Sequence, residues 1–232
     1  MNGDSDDTRD RALADEGLRF FGAITASVTH DLNNVIAITD QTSGLIQDMI
    51  VAEKSGTPLS IGRLSDAIDA TQKQSRRALE IIRRLNEFAH STDEPEVVFD
   101  VTKAIENLIE ISRRFAGLKR ATFDLDLPPG QIPLEGNPFL FRNAVFRALR
   151  TALDPVKPGD SIRVSVEAEG DGVSVLVGAP RCIDTDGIEM TAMKFVLEVM
   201  TGRVTLAPRG NGTDMKLAFS NRGGGQREER PE

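Results

Sequence analysis

Phe20–Ile38 reads FFGAITASVTHDLNNVIAI, and its spacing decides how the rest of the chain is read. On an ideal helix each residue advances about 100°. With Val28 set at zero, Phe21, Ile24, Leu32 and Val35 all fall within roughly 40° of it, which predicts a narrow apolar seam. His30 lies about 200° away, on the side facing water. Asn34 follows one turn later on nearly the same side, and Asp31 sits at the flank of the seam. The stretch therefore buries its hydrophobes and shows solvent an imidazole with a carboxylate and an amide beside it. A histidine on a solvated helix face is ordinarily only a surface residue, so its neighbours carry the argument.

Outward from this stretch, helix periodicity runs from about Asp10 to Ala52, far longer than an average helix. KSGTPLS, Lys54–Ser60, supplies glycine and proline for a reversal, and Ser60 is placed to cap the next helix. That second helical run, from Ile61 to about His90, has its spine at Ile61, Leu64, Ile68, Ile82, Leu85 and Ala89, with Thr71, Ser75 and Ala78 in the weaker middle. Two long antiparallel helices cover only one face of each other. The hairpin is therefore expected to pair with a second copy through residues 10–90, closing a four-helix bundle in a homodimer. Counting back from the turn sets His30 level with about residues 82–84. Arg77 and Arg84 fall on the side of the second helix away from its seam, where guanidinium groups could meet a phosphate; a plain solvated charged face is the competing account.

STDEPE, Ser91–Glu96, reads as a linker, and beyond it strand and helix signals alternate. VVFDV is a short strand and Thr102–Ala116 an amphipathic helix. ATFDLDL alternates with the period of a half-buried strand. Asn137 caps a helix with Pro138 in its first turn, running to about Leu153. SIRVSVEA and VSVLVG form a hairpin. A helix follows from about Glu189 to Met200, and VTLAP with DMKLAF makes a last strand pair. This order predicts an α/β sandwich with helices on one face of a mixed sheet. The expected organisation is a disordered N-terminus over 1–9, a helical hairpin over 10–91, an α/β domain over 96–220 and a disordered tail over 221–232.

The chain has 232 residues, 39% hydrophobic and 28% charged, with a formal net charge of −8. That charge argues against a general binder of nucleic acid or anionic membrane. The single cysteine, Cys182, excludes an intrachain disulfide, makes a cysteine-based metal site improbable and reads best as a small hydrophobe. No run approaches the roughly 18 apolar residues that span a bilayer, and the acidic start lacks a signal-peptide core, so a cytoplasmic protein is expected. The absence of Trp and Tyr restricts aromatic stacking on a ligand.

His30, Asp31 and Asn34, within HDLNN, resemble the H-box of the dimerisation and phosphotransfer domain of two-component histidine kinases. That pattern is His, then Glu or Asp, then Asn or Thr four positions after the His. The chain beyond Ser91 is similar in element order to the ATP-binding domain of the same kinases, the Bergerat fold, with FRALRTALD matching its N-box helix and GTDMKLAF its end. The nucleotide chemistry of that family departs, however. Thr151 stands where the Mg²⁺-binding asparagine belongs and Arg147 where its companion does. Gly178 replaces the adenine-binding aspartate, Arg181 and Cys182 occupy the glycine region after it, and the lid keeps only Gly187. Gly212-Thr213 alone retains a family glycine motif, whereas a phosphate cradle needs several.

The resemblance thus implies a histidine phosphotransferase built from a degenerate kinase core, of the ChpT-like and sporulation-phosphorelay types, binding no ATP, no cofactor and no metal. It implies that His30 takes a phosphoryl group from a receiver-domain aspartate and yields it to another. Asp31 would orient the imidazole and accept its proton, and Asn34 would position the phosphoryl group or a water. Mg²⁺ would sit in the partner receiver. The partners implied are response-regulator receivers and an upstream hybrid kinase. A divergent kinase, an aspartyl-phosphate phosphatase and a non-catalytic scaffold that binds response regulators remain open at this point.

Overall fold

The computed structural model describes residues 3–221. Helix α1 spans Gly3–Lys54 and α2 spans Ile61–Ala89, together the expected antiparallel hairpin. Ser60 caps α2, its hydroxyl accepting from the Arg63 amide at 3.4 Å. The start of α1 differs from expectation. It begins seven residues before Asp10, stabilised by an i,i+4 ion pair from Arg11 to Asp7 at 2.8 Å and by Arg9 reaching Glu198 of the second domain at 3.2 Å. The anticipated disordered tail from Arg222 onward lies outside the described residues.

The second part follows the order β1 Val97–Asp100, α3 Val101–Leu118, β2 Thr122–Asp126, β3 Pro133–Gly136, α4 Pro138–Leu153, β4 Ser161–Glu169, β5 Gly172–Ala179, α5 Ile188–Val199, β6 Arg203–Arg209 and β7 Gly212–Ser220. A five-stranded sheet runs β2-β4-β5-β7-β6, parallel only between β2 and β4. Helices α3, α4 and α5 supply its buried face. Alternation along β4 and β5 puts Ile162, Val164, Val166, Val173, Val175 and Val177 into the core, as period-two patterning requires. The Asn137 side chain accepts from the amides of Phe139 and Leu140 at 3.0 and 2.9 Å, capping α4 with Pro138 in its first turn. Strand β3, four residues without strong alternation, is not apparent in the sequence; it pairs with β1 in a separate two-stranded ribbon.

The two parts share one core. Phe20, Ile24 and Val28 of α1 and Phe88 of α2 are continuous with the buried residues of the α/β domain. Phe20 is the pivot, its ring 5.2 Å from Phe88, 5.3 Å from Phe139 and 5.0 Å from Phe146. Such ring pairs contribute beyond their buried area. The expected seam is corrected here: Ile24, Val28 and Val35 are buried, but Phe20, and not Phe21, is the fully covered ring. Phe20 lies about 80° off the seam on an ideal helix. Helix α2 is not the sole partner of α1, because the α/β domain covers that flank. The spine of α2 shifts likewise. Ala67 and Phe88 are buried while Ile61, Ile68, Leu79 and Ile82 stay exposed.

Candidate functional site

His30 projects from α1 with its side chain half exposed. Its Nδ1 lies 3.2 Å from Nδ2 of Asn34, the one-turn neighbour that helical spacing brings alongside. An amide N–H donated to Nδ1 fits the tautomer that carries its proton on Nε2. A half-turn of the amide would present Oδ1 to an Nδ1–H and leave Nε2 with the free lone pair. Asn34 can thus hold either neutral tautomer. The Asp31 carboxylate stands 3.9 Å from Nδ1, outside hydrogen-bond range, because the next residue on a helix points about 100° away.

One wall of the surroundings is strongly basic. His30, Asp31, Asn34 and Arg77 line an open concavity of about 440 Å³ together with Arg113 and Arg114 of α3. Arg77 therefore shares this hollow with His30. Arg84 is not part of that wall; its Nε is paired with Glu80 at 2.7 Å, and its carbonyl accepts from Asn107 Nδ2 at 3.2 Å. Glu80 is held down to about 2, chiefly by its hydrogen bond from Arg83, with the Arg84 charge adding to it. On the other side of His30 a second concavity of about 600 Å³ is walled by Phe21, Gly22, Thr25, Ala26, Thr29 and Asn33. The imidazole stands on the ridge between a basic hollow and one with small side chains.

Arg113 and Arg114 escaped the sequence reading. The signal was present as two adjacent arginines in ISRRFAGL, but nothing local places α3 against α1. The helical angles account for it afterwards. Relative to Val28, Glu16 and Phe20 lie at about −120° and −80°, while His30 and Asn34 lie at about −160° and −120°. The flank of α1 that docks on the α/β domain is the flank that carries His30.

The docking also determines what stands at the positions where the kinase resemblance expects nucleotide ligands. Arg147 is buried, its Nε 2.6 Å from Glu16 of α1 and its Nη1 2.6 Å from Glu189 of α5, with Nη2 also paired to Glu16. Arg150 joins from 3.3 Å. The Thr151 hydroxyl donates to the Arg147 carbonyl at 2.9 Å. A Cβ on Gly178 would meet Asp214 Oδ1 at 2.9 Å, so that strand position is already filled by a neighbouring carboxylate, which itself binds Arg163 at 3.2 Å. Arg181 grips Asp160 with two bonds of 2.7 and 3.1 Å. Cys182 is exposed, in contrast to the expected small buried hydrophobe; it lies in the irregular segment after β5, outside the sheet's packed face. Gly187 precedes α5 in an extended conformation, and Gly212-Thr213 opens β7. Among the described residues, no group of three or more His, Cys, Asp or Glu side chains could hold a metal ion. Among them, too, no helix is long and apolar enough to cross a membrane.

No family model matches the chain, and no curated protein matches it. Similar solved structures are histidine kinases. The Acinetobacter baumannii histidine kinase AdeS aligns at 12% identity and a TM-score of 0.48 over 78% of this chain and 95% of its own. A histidine kinase from Burkholderia phymatum aligns at 13% and 0.46, over 81% and 97%. The catalytic domain of histidine kinase ThkA aligns at 12% and 0.49, over 55% and 98%.

Proposed function

We propose that this chain is a histidine phosphotransferase of a two-component phosphorelay, taking a phosphoryl group onto His30 from one receiver-domain aspartate and yielding it to another. The carrying observation is the setting of His30: half exposed, its ring held by Asn34, beside an open hollow that offers guanidinium groups. Neutral imidazole is a good nucleophile near pH 7, and a phosphoimidazole stays reactive enough to be passed on. In the forward step a ring nitrogen attacks phosphorus and the P–N bond forms. The P–O bond to the donor aspartate breaks, and that carboxylate leaves with the electron pair. When Nε2 is the attacking atom, the proton is on Nδ1 and the Asn34 amide turns its Oδ1 to accept it, with the Asp31 carboxylate 3.9 Å from Nδ1 to stabilise the cationic ring. Mg²⁺ belongs to the receiver's acidic pocket, and the step needs no metal ligand from this chain.

Transfer without ATP is favoured by the fate of Arg147 and Thr151. The face of α4 that would hold Mg²⁺ and phosphates instead presents a cation already committed to two carboxylates, and a hydroxyl already donating to the backbone. A fixed guanidinium repels Mg²⁺, and withdrawing it from Glu16 and Glu189 would leave buried charge unpaired. These residues do not fit the nucleotide. The uncovered apolar stripe of Ile61, Ile68, Leu79 and Ile82 supports a homodimer closing a four-helix bundle.

The test is transfer from labelled phospho-receivers to the purified protein. Label that is lost in acid, survives base and is missing from His30→Ala supports the relay. Absence of label from every receiver of the same cell overturns it, and autophosphorylation with ATP would make the protein a kinase. Release of inorganic phosphate with no phosphohistidine on the way would instead assign Asn34 to orienting a hydrolytic water.

A further inference from the structure

We propose that Arg77, Arg113 and Arg114 form a binding cradle for the phosphoryl group in transit, so that the α/β domain supplies part of the transfer site. This deepens the reading of His30 as a phosphoryl carrier and rests on it. The hollow beside His30 is lined by three guanidinium groups and the one carboxylate of Asp31, with Glu110 pairing Arg113 from outside the lining, so the local charge stays positive in a chain whose formal net charge is −8. Arg77 comes from the hairpin and the other two from α3, so the cradle exists only where the two parts of the chain meet.

Among the described residues neither Arg77 nor Arg114 has a hydrogen-bonded or ion-paired partner, whereas Arg113 is tethered to Glu110 at 2.6 Å. That difference separates their roles. Uncommitted guanidinium groups keep their forks for a ligand, and a planar fork binds phosphate oxygens two at a time. Gly117, one turn beyond Arg113, also lines the hollow; a Cβ there would meet nothing within 4 Å, so no side chain obstructs that side. The ligand class that fits is a phosphoryl dianion next to an imidazole. Two groups share this chemistry, the acyl phosphate that a receiver presents and the phosphoryl group once it is on His30.

The experiment uses the full chain with two probes. Inorganic phosphate is titrated while the His30 ring resonances are followed by NMR, and potassium phosphoramidate serves as a small donor that needs no protein partner. Arg77→Ala with Arg114→Ala is compared with wild type and with Arg83→Ala, whose side chain pairs with Glu80 and Glu87 outside the hollow. Wild type and Arg83→Ala are expected to show a saturable phosphate shift at His30, and the double variant to need at least ten times more phosphate. Phosphohistidine formation from phosphoramidate should saturate in wild type and become slower and linear in the double variant. Transfer from a phospho-receiver should fall at least tenfold as well. If receiver transfer alone falls while both small-molecule readouts are unchanged, the arginines bind the partner's surface and the cradle is wrong. Unchanged phosphate binding and labelling in the double variant likewise overturn the cradle while leaving His30 a carrier. Loss of the phosphate shift in a protein that no donor labels would keep the cradle and sink the relay.

Discussion

Removing the carboxylate of Glu16 tests how the two parts of the chain are held together. Glu16 and Arg147 are 9% and 10% exposed at their side chains, so their pairing is a buried one. Taking one partner from such a pair costs about 3–5 kcal/mol, because the charge left behind is uncompensated. In Glu16→Ala, Arg147 keeps Glu189 at 2.6 Å, which places the expected loss lower, at about 2–3 kcal/mol. Arg147→Ala strands two carboxylates, one of them still reached by Arg150, and should cost about 3–5 kcal/mol. The two changes share one interaction, so the double variant should fall short of their sum by about 1–3 kcal/mol. Urea unfolding gives these values, and amide hydrogen exchange localises them. Protection in α1 around residues 10–20 should drop while the ladder between β4 and β5 stays protected. A loss below about 1 kcal/mol in Glu16→Ala, or a coupling of zero, would refute the idea that this pair clamps α1 to the α/β domain.

Three further outcomes are expected. Ile68→Lys with Ile82→Lys should convert a dimer to a monomer in light scattering while helix content persists, since both side chains are exposed on the single chain and a charge there opposes only a second copy. Glu80 should titrate near pH 2 by NMR, and Arg83→Ala should raise that midpoint the most because its hydrogen bond is the largest cause of the depression. With a folded value below the ordinary one of 4.5, the stabilisation from Glu80 is complete above that value and is lost as pH falls towards 2. His90→Ala should accept phosphoryl groups like wild type; His90 is bonded to Asp93 at 2.7 Å at the end of α2, outside the basic hollow.

Periodicity carried most of the fold. The hairpin, its Ser60 cap, the Asn137-Pro138 helix start and the inward residues of the β4–β5 hairpin come from spacing and local chemistry alone, because each element's own pattern names the face that it buries. The part that was not legible is pairwise. Strand β3, PLEG, has no pattern of its own and exists because β1 lies beside it. Phe20 stands outside the seam of Phe21, Ile24, Val28, Leu32 and Val35, yet it is fully buried at the junction, since a second surface covers it. Burial on one helix can be read against one partner; with two partners the apolar arc widens, and the window that fits the first misassigns the residues facing the second.

The same reason divides the site. His30 and Asn34 are one turn apart on one helix, so their 3.2 Å approach was implicit in five letters of sequence. Arg84 and Arg77 were equally plausible by helical angle, and the local neighbour Glu80 separates them by engaging Arg84 at 2.7 Å. Arg113 and Arg114 depend on the docking of α1, which in turn rests on Phe20 and Glu16. From Glu16 to His30 is fourteen residues, about 21 Å along the helix; Glu16 is buried against the α/β domain and His30 stands half exposed farther along the same flank. The buried guanidinium of Arg147 therefore stands in a physical chain with the hollow beside His30: it anchors α1, the anchored helix fixes where α3 lies, and α3 carries two of the three arginines. A residue with no reach to the imidazole can in this way set the geometry in which the imidazole works.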